Sequence, residues 1–530
     1  MSKRGAHLLG MPAVLLLGAC GLAALIAYAR TADAAFAPAG DIALIETFTI
    51  HAADGEQLLG PYSRFGWNHP GPLYFYLQAP FYVLSGRRSA GLSAGALAIN
   101  LSALAILVWV CVRASAGGSL AVAIALASVL FTYRASEMLA SQWNPHVLVL
   151  PVMAIVVVAA AVAAGRVWLL PVLAALASFV VQTHVGLGPA VLALSGAATA
   201  MVVLRSYFLR SDVAPRLWPI LHGTLWLLLV LWLLPLAQQL SAPDGNMSRL
   251  WAFFATESRP AQPWRVSFRT WSDMISAVLR SDVDVGWGNR HPPIPGPWSQ
   301  FWALTESAAV AGIAVKAAID KDRFRAALAA MTLIASGVGL WSITRVDDVV
   351  FDHLVFWLAG IGALHLGVIA DAIIRLVPLA TRLPTRITAA ACVVIFAAGA
   401  AVGFQELRVV VSRSYRPLPE PLSVRRLADA ILPAFETNGM KRPLVTIDQR
   451  VWGVAAGVLL QLQKRDIPFL VDDDWWFMYG EPPSPSDRWT DANTLIFAGP
   501  ELALELSSQS GHEILARRDH VSIWLARSQP

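Results

Sequence analysis

Apolar residues along most of this chain do not alternate with polar ones. They fall in long, nearly uninterrupted runs at about residues 7–28, 89–112, 118–133, 146–164, 167–182, 187–206, 218–240, 300–317, 324–343, 353–374 and 387–404. A helix rising 1.5 Å per residue needs about 20 such residues to cross roughly 30 Å of hydrocarbon. The runs therefore predict a mainly α protein, a polytopic transmembrane helical bundle of about 11 spans occupying residues 1–404. The first run follows a basic start, and Ala32-Asp33-Ala34 has the look of a cleavage site. The stretch from His7 to Tyr28 is nevertheless longer than a signal core and predicts a retained span.

The pattern changes after residue 404. Pro417, Pro419 and Pro421 punctuate a linker over 405–422, and from 423 to 530 charged and apolar residues intermix as in a water-soluble domain. Leu444–Asp448, Ile467–Val471 and Thr494–Ala498 read as buried strands and Val451–Lys464 as a helix, which predicts a C-terminal α/β domain around a small, mostly parallel sheet. Gly453 and Gly457 do not make a dinucleotide fingerprint. The domain is expected to bind an acceptor or to serve structure.

Composition agrees with the runs: 56% of residues are hydrophobic and only 14% charged, against about 25% charged in ordinary soluble domains. A net charge of +5 would suit nucleic acid if it formed one stripe, but Lys and Arg lie in short clusters between apolar runs, so no nucleic-acid partner is expected. With Lys3 and Arg4 inside, alternation also places Arg113, Arg166, Arg205/Arg210/Arg216, Lys316/Lys321/Arg323/Arg325 and Arg375/Arg382/Arg386 inside, which sets a cytoplasmic N-terminus. Loops 30–88 and 241–299 and the C-terminal domain then face outward, and the localisation expected is a bacterial inner or plasma membrane. Arg87 and Arg88 run against this bias, unless Leu73–Leu84 is a span. Its length favours an interfacial helix rich in Tyr and Phe. Cys20, Cys111 and Cys392 all lie in apolar runs and form neither a disulfide framework nor a CxxC site.

Candidate chemistry concentrates in the first outward loop, which holds Asp41, Glu46, His51, Arg64, Asn68 and His69. Its segment Gly60–Tyr76 mixes turn formers, cations and aromatics in a way suited to a lipid headgroup. Asp41 followed by a loop, then His69-Pro70-Gly71-Pro72-Leu73-Tyr74, resembles the GT-C-type membrane glycosyltransferases, in the branch of protein O-mannosyltransferases and lipid A aminoarabinose transferases. In that branch an Asp-Glu pair and a Lys-Pro-Pro-Leu-Tyr run stand at these places; here Ile42 replaces the Glu and His69 the Lys.

The resemblance implies transfer of a hexose or pentose, with inversion, from a polyprenyl-phosphate donor to a glycan, lipid or protein acceptor. The residue types suit that reaction: a carboxylate to deprotonate the acceptor and cations to stabilise the departing phosphate. Asp41 is the expected base, although it is also a good helix N-cap. Glu46 is secondary, because five helical residues turn it some 140° away. Arg64 and His69 are the expected phosphate contacts, and Tyr62, Trp67, Asn68, Trp143, Asn144, Gln182 and His184 the expected substrate contacts. Trp67, Tyr74 and Tyr76 read first as an interfacial aromatic belt. No metal ligand is assigned, and a divalent metal is left open. Arg345, Asp347, Asp348, Asp352 and His353 read as a solvated loop. Asp472-Asp473-Asp474-Trp475-Trp476 reads as solvated carboxylates at a strand end, with a cation or sugar as the lesser reading. A lipid or solute transporter or flippase is the rival function, and a non-catalytic envelope assembly protein the third.

Overall fold

The computed structural model describes residues 19–32, 37–115, 118–135, 137–208, 214–242, 244–256, 261–280, 298–347, 349–376, 385–412, 421–479 and 493–527. Among them, seven helices are long and apolar enough to cross a membrane: Ala90–Ala114, Asn144–Ala163, Val185–Ser206, Ser299–Ile319, Arg323–Ile343, Trp357–Arg375 and Ile387–Val411. The pair Leu217–Leu231 and Leu233–Ser241, bent by 47°, makes an eighth if it is one span. Ala19–Thr31 (α1), Ser119–Arg134 and Val167–Thr183 are apolar but shorter. Each of these helices falls on a predicted run; the expected eleven exceeds the eight counted among the described residues because Ser119–Arg134 and Val167–Thr183 are short and the first run is described only from residue 19. The chain is an integral membrane protein.

Val149–Ala163 is buried along its whole length and forms the axis of the bundle, as expected for a helix apolar on all sides. One end of the bundle gathers cations: Arg166 donates to the Arg113 carbonyl, Arg205 to the Ala164 carbonyl, and Arg325 pairs with Asp371 at 2.6 Å. At the other end lie two short helices between α1 and the next span, Gly40–Ala53 (α2) and Leu73–Leu84 (α3). α3 is not long enough to span. It buries Tyr74, Phe75 and Tyr82 while exposing Leu77, Val83 and Leu84.

The last span runs on to Ser412, past the expected boundary at 404, and a helix begins at Pro421 inside the expected linker. The C-terminal region then forms a five-stranded sheet in the order β2-β1-β3-β5-β4. β1 (Leu444–Ile447), β2 (Leu470–Val471) and β3 (Asn493–Ala498) are parallel, with helix Trp452–Gln463 between the first two. β4 (His512–Arg518) and β5 (Val521–Arg527) add an antiparallel hairpin that the sequence reading did not include. Val445, Phe497, Ile523 and Leu525 from the sheet pack with Val458 and Leu459 of the helix to make a second core. That helix lies directly on α2. A Cβ at Gly457 would come within 2.6 Å of the Pro38 carbonyl, so only glycine allows the approach.

Candidate functional site

The site begins at the first turn of α2. Asp41 is not the cap: Ala39 holds that position, and the Asp41 carboxylate turns outward to two neutral donors. Tyr62 donates its hydroxyl to Oδ1 at 2.5 Å, and Trp143 donates its indole N–H to Oδ2 at 2.9 Å. Neither carries charge. Burial pushes the Asp41 carboxyl above its ordinary range, and the two hydrogen bonds pull it part of the way back. The carboxylate is therefore a stronger base than a solvated one.

Tyr62 is aimed by a tight hairpin. It pairs with Asn68, while Gly60 N–H bonds to the His69 carbonyl at 3.1 Å and His69 N–H to the Pro61 carbonyl at 2.8 Å. A Cβ at Gly60 would meet three carbonyl oxygens at 2.5–2.8 Å, so the closure requires glycine. Trp143 is aimed from below: Tyr74, fully buried on α3, donates its hydroxyl to the Gln142 carbonyl, and Gln78 braces that hydroxyl at 2.9 Å. Tyr74 is thus built into the support of the site, which corrects its reading as an interfacial belt residue.

A train of aromatic rings leads from Asp41 to a cation. Trp143 lies 5.2 Å from His353, His353 stacks on Phe351 at 5.6 Å, and the Arg64 guanidinium sits over Phe351 at 5.9 Å and over Phe65 at 5.0 Å. Arg64 is exposed and has no ion-pair partner among the described residues. From above, the segment after β2 closes in: Phe477 lies 6.2 Å from the Tyr62 ring, Trp475 stacks on Phe477, and Arg249 of helix Asn246–Thr256 sits over Trp476. The C-terminal domain therefore supplies the roof over Asp41.

Two solved structures share this architecture. ArnT from Cupriavidus metallidurans bound to undecaprenyl phosphate superimposes with a TM-score of 0.55 at 15% identity, covering 97% of this chain and 98% of that one. ArnT from Cupriavidus metallidurans in the apo state gives the same score and coverage at 13% identity. The chain has the GT-C-type fold of ArnT. No protein-family model and no curated protein matches the sequence. The likeness to ArnT agrees, at the level of fold, with the branch that Asp41 and the His69–Tyr74 run resemble.

Within the ArnT-like fold the other expected site residues divide. His69 and His184 stack at 4.6 Å, and His69 Nδ1 accepts the Val185 N–H at 3.2 Å, which places the ring proton on Nε2. Burial, reinforced by His184, lowers the His69 pKa well below its ordinary value, and burial takes His184 to about 4. His69 is therefore a neutral donor, and its expected role as a phosphate cation is corrected. Asn68 is spent on structure, exchanging hydrogen bonds with Asn246 at 2.8 Å and donating to the Gly60 carbonyl. Gln182 is fully buried and donates to the Leu231 carbonyl at 2.8 Å. Trp67 packs among Leu250 and Phe253, and Asn144 reaches only the Thr183 carbonyl at 3.5 Å. None of these four is turned toward Asp41.

Glu46 is corrected as a catalytic residue. It is completely buried and ion-paired with Lys464 at the end of helix Trp452–Gln463, away from Asp41. Three participants were misjudged or missed. His353 was placed in a solvated loop, yet it is half-buried against Trp143 and Phe351, and burial, then His184 and Arg64, lowers its pKa to about 4. Phe477 and Tyr479 follow the acidic run that drew attention, and they, rather than its carboxylates, reach the site. The cluster of aromatics over 475–479 was the available signal. Among the described residues no three His, Cys, Asp or Glu side chains converge as a metal-ligand group; Asp348 lies outside the described residues.

Proposed function

We propose that this protein is a membrane glycosyltransferase that moves a sugar from a polyprenyl-phosphate donor to an acceptor hydroxyl on the face of the membrane carrying the C-terminal domain. We place the N-terminus in the cytoplasm, so that this face is extracytoplasmic. The observation that carries the reading is the Asp41 carboxylate: half-buried, without an ion-pair partner among the described residues, and oriented by two neutral donors under an aromatic roof. The fold of ArnT, which binds undecaprenyl phosphate, supports it.

In this reaction the acceptor hydroxyl gives its proton to Asp41 as its oxygen bonds to the anomeric carbon. The bond from that carbon to the phosphate oxygen breaks, and the polyprenyl phosphate leaves with the electron pair. A single displacement inverts the anomeric centre. Tyr62 and Trp143 keep both carboxylate oxygens in place, and Arg64, at the far end of the ring train, is the cation available to the departing phosphate. His69 Nε2–H and His184 offer uncharged contacts to the donor. The soluble domain, in the bounds 423–530, closes the acceptor side.

The test is transfer from an undecaprenyl-phosphate-linked sugar by the purified full chain in lipid nanodiscs, beside Arg64→Gln. Wild type should release undecaprenyl phosphate and glycosylated acceptor in equal amounts, and Arg64→Gln should reduce use of the donor about tenfold. Movement of the lipid-linked sugar between leaflets without bond cleavage would overturn the reading in favour of a flippase.

A further inference from the structure

Arg87 and Arg88 stand on the membrane face where the charge bias disfavours them, and the Asp41 chemistry does not use them. Both line a cleft of about 610 Å³ that opens between α2, the turn leading into Ala90–Ala114, and the C-terminal domain, with Ala32, His51, Arg425 and Lys464 on its other walls. Arg87 adopts φ of 56°, a left-handed conformation uncommon for a side-chain-bearing residue, and its N–H is bonded to the Tyr82 carbonyl at 2.9 Å. The chain thus holds this arginine in an unfavourable turn at the cleft wall.

The charges there do not cancel by pairing. Arg87 is answered by Asp54 at 2.6 Å and Lys464 by Glu46. Arg88 reaches only a backbone oxygen, that of Ala32 at 3.1 Å, and Arg425 has no hydrogen-bond or ion-pair partner among the described residues. Asp466, also on the wall, is a carboxylate likewise without an ion-pair partner among the described residues. The cleft lies at the membrane boundary. Ala32 directly follows α1, Arg30 bonds to the Leu84 carbonyl, and Val83 and Leu84 present exposed apolar side chains close by. His51 is about 15 Å along α2 from Asp41, so the two sites are separate.

We propose that this cleft binds the phosphate-bearing headgroup of a membrane lipid, with Arg88 and Arg425 on the phosphate, Asp466 accepting from a headgroup hydroxyl or ammonium, and the acyl chains lying along α3. Two guanidiniums without a countercharge suit a phosphate oxygen pair, and juxtamembrane arginines attract anionic headgroups. Occupancy would tie the C-terminal domain to the end of α2 opposite Asp41. The proposal is independent of the transferase reading.

The experiment is native mass spectrometry of the full chain in a non-ionic detergent, titrated with dioleoyl phosphatidylglycerol and, as the phosphate-free control, dioleoylglycerol. Wild type should retain one phosphatidylglycerol per chain in preference to dioleoylglycerol. Arg425→Gln, at a half-buried residue with no partner to lose, should weaken retention about tenfold, Arg88→Gln about as much, and Arg88→Lys much less. Asp41→Asn should leave it unchanged, so that failure of the catalytic reading does not disturb this result. Equal retention of the two lipids, or unchanged retention in Arg88→Gln/Arg425→Gln, would overturn the proposal. Displacement of the lipid by inorganic phosphate at equal concentration would overturn the lipid assignment and leave a free-phosphate site.

Discussion

Asp41 and Glu46 share one helix and stand about 7.5 Å apart along its axis, yet their surroundings are opposite. Asp41 faces the bundle and the aromatic roof, receives a phenol and an indole N–H, and has no cation. Glu46 faces the C-terminal domain, loses all exposure, and is neutralised by Lys464, whose ammonium also donates to Ser89 at 3.1 Å. Five residues further on, His51 meets Gln463, also of the C-terminal domain, at 3.0 Å. The carboxylate given a countercharge holds the C-terminal domain to the helix, whereas the one given only neutral donors is left as a base. The helix separates chemistry from assembly by its own 3.6-residue period.

The largest effect that separates the two ends is on turnover. Asp41→Asn keeps the size of the side chain and removes the base, so transfer by the purified variant should fall about a hundred to ten thousand fold with lipid-donor binding little changed. Stability should move the other way. Burial raises the Asp41 pKa in the folded state, so the stabilisation from its protonated form is complete below the unfolded value of 3.8 and is lost as pH rises through the raised folded value. At neutral pH the ionised carboxylate opposes folding, and Asp41→Asn should hold or raise the melting temperature. A lower melting temperature at neutral pH would contradict this.

The second effect belongs to the other end. Lys464→Met leaves Glu46 buried without its cation and should cost about 3–5 kcal/mol of stability, seen as a lower denaturation midpoint in detergent. The folded fraction should still transfer sugar within about twofold of wild type, because Lys464 contacts neither Asp41 nor its donors. Full loss of turnover in material that remains folded would make the Glu46–Lys464 pair part of the chemistry and erase the contrast.

A smaller effect sharpens the Asp41 end. Tyr62→Phe removes a hydrogen bond that lowers the Asp41 pKa, so the acid limb of the pH–rate profile should shift to higher pH and turnover should fall about tenfold. Activity requires the ionised base, so it rises with pH through that limb. A limb that stays in place would mean that another group titrates there.

Much of this was legible in the chain, for a physical reason. Spanning helices need long apolar runs, which is why the described parts of the eleven runs are helices or a bent pair, and β1, β2 and β3 announced themselves as short apolar segments. Asp41 and Trp143 stood out as polar or amphipathic groups at span ends. What was not legible depends on contacts across long separations. Whether Gln182 faces a substrate or the Leu231 carbonyl, whether His353 is solvated or packed on Trp143, and whether the acidic run or the rings after it reach the site are all decided by packing between distant segments. The loss of cationic character at His69 is likewise a consequence of burial beside His184.

The most direct measurement of the contrast replaces the hydroxyl acceptor by azide, a nucleophile that has no proton to lose. Purified Asp41→Ala is supplied with an undecaprenyl-phosphate-linked sugar and either the hydroxyl acceptor or azide, and released undecaprenyl phosphate is quantified. Asp41 as general base predicts that transfer to the hydroxyl is lost while glycosyl azide forms at a rate approaching that of wild type with its own acceptor. Loss of both reactions in folded protein that still binds the donor, or full transfer to the hydroxyl, would contradict it.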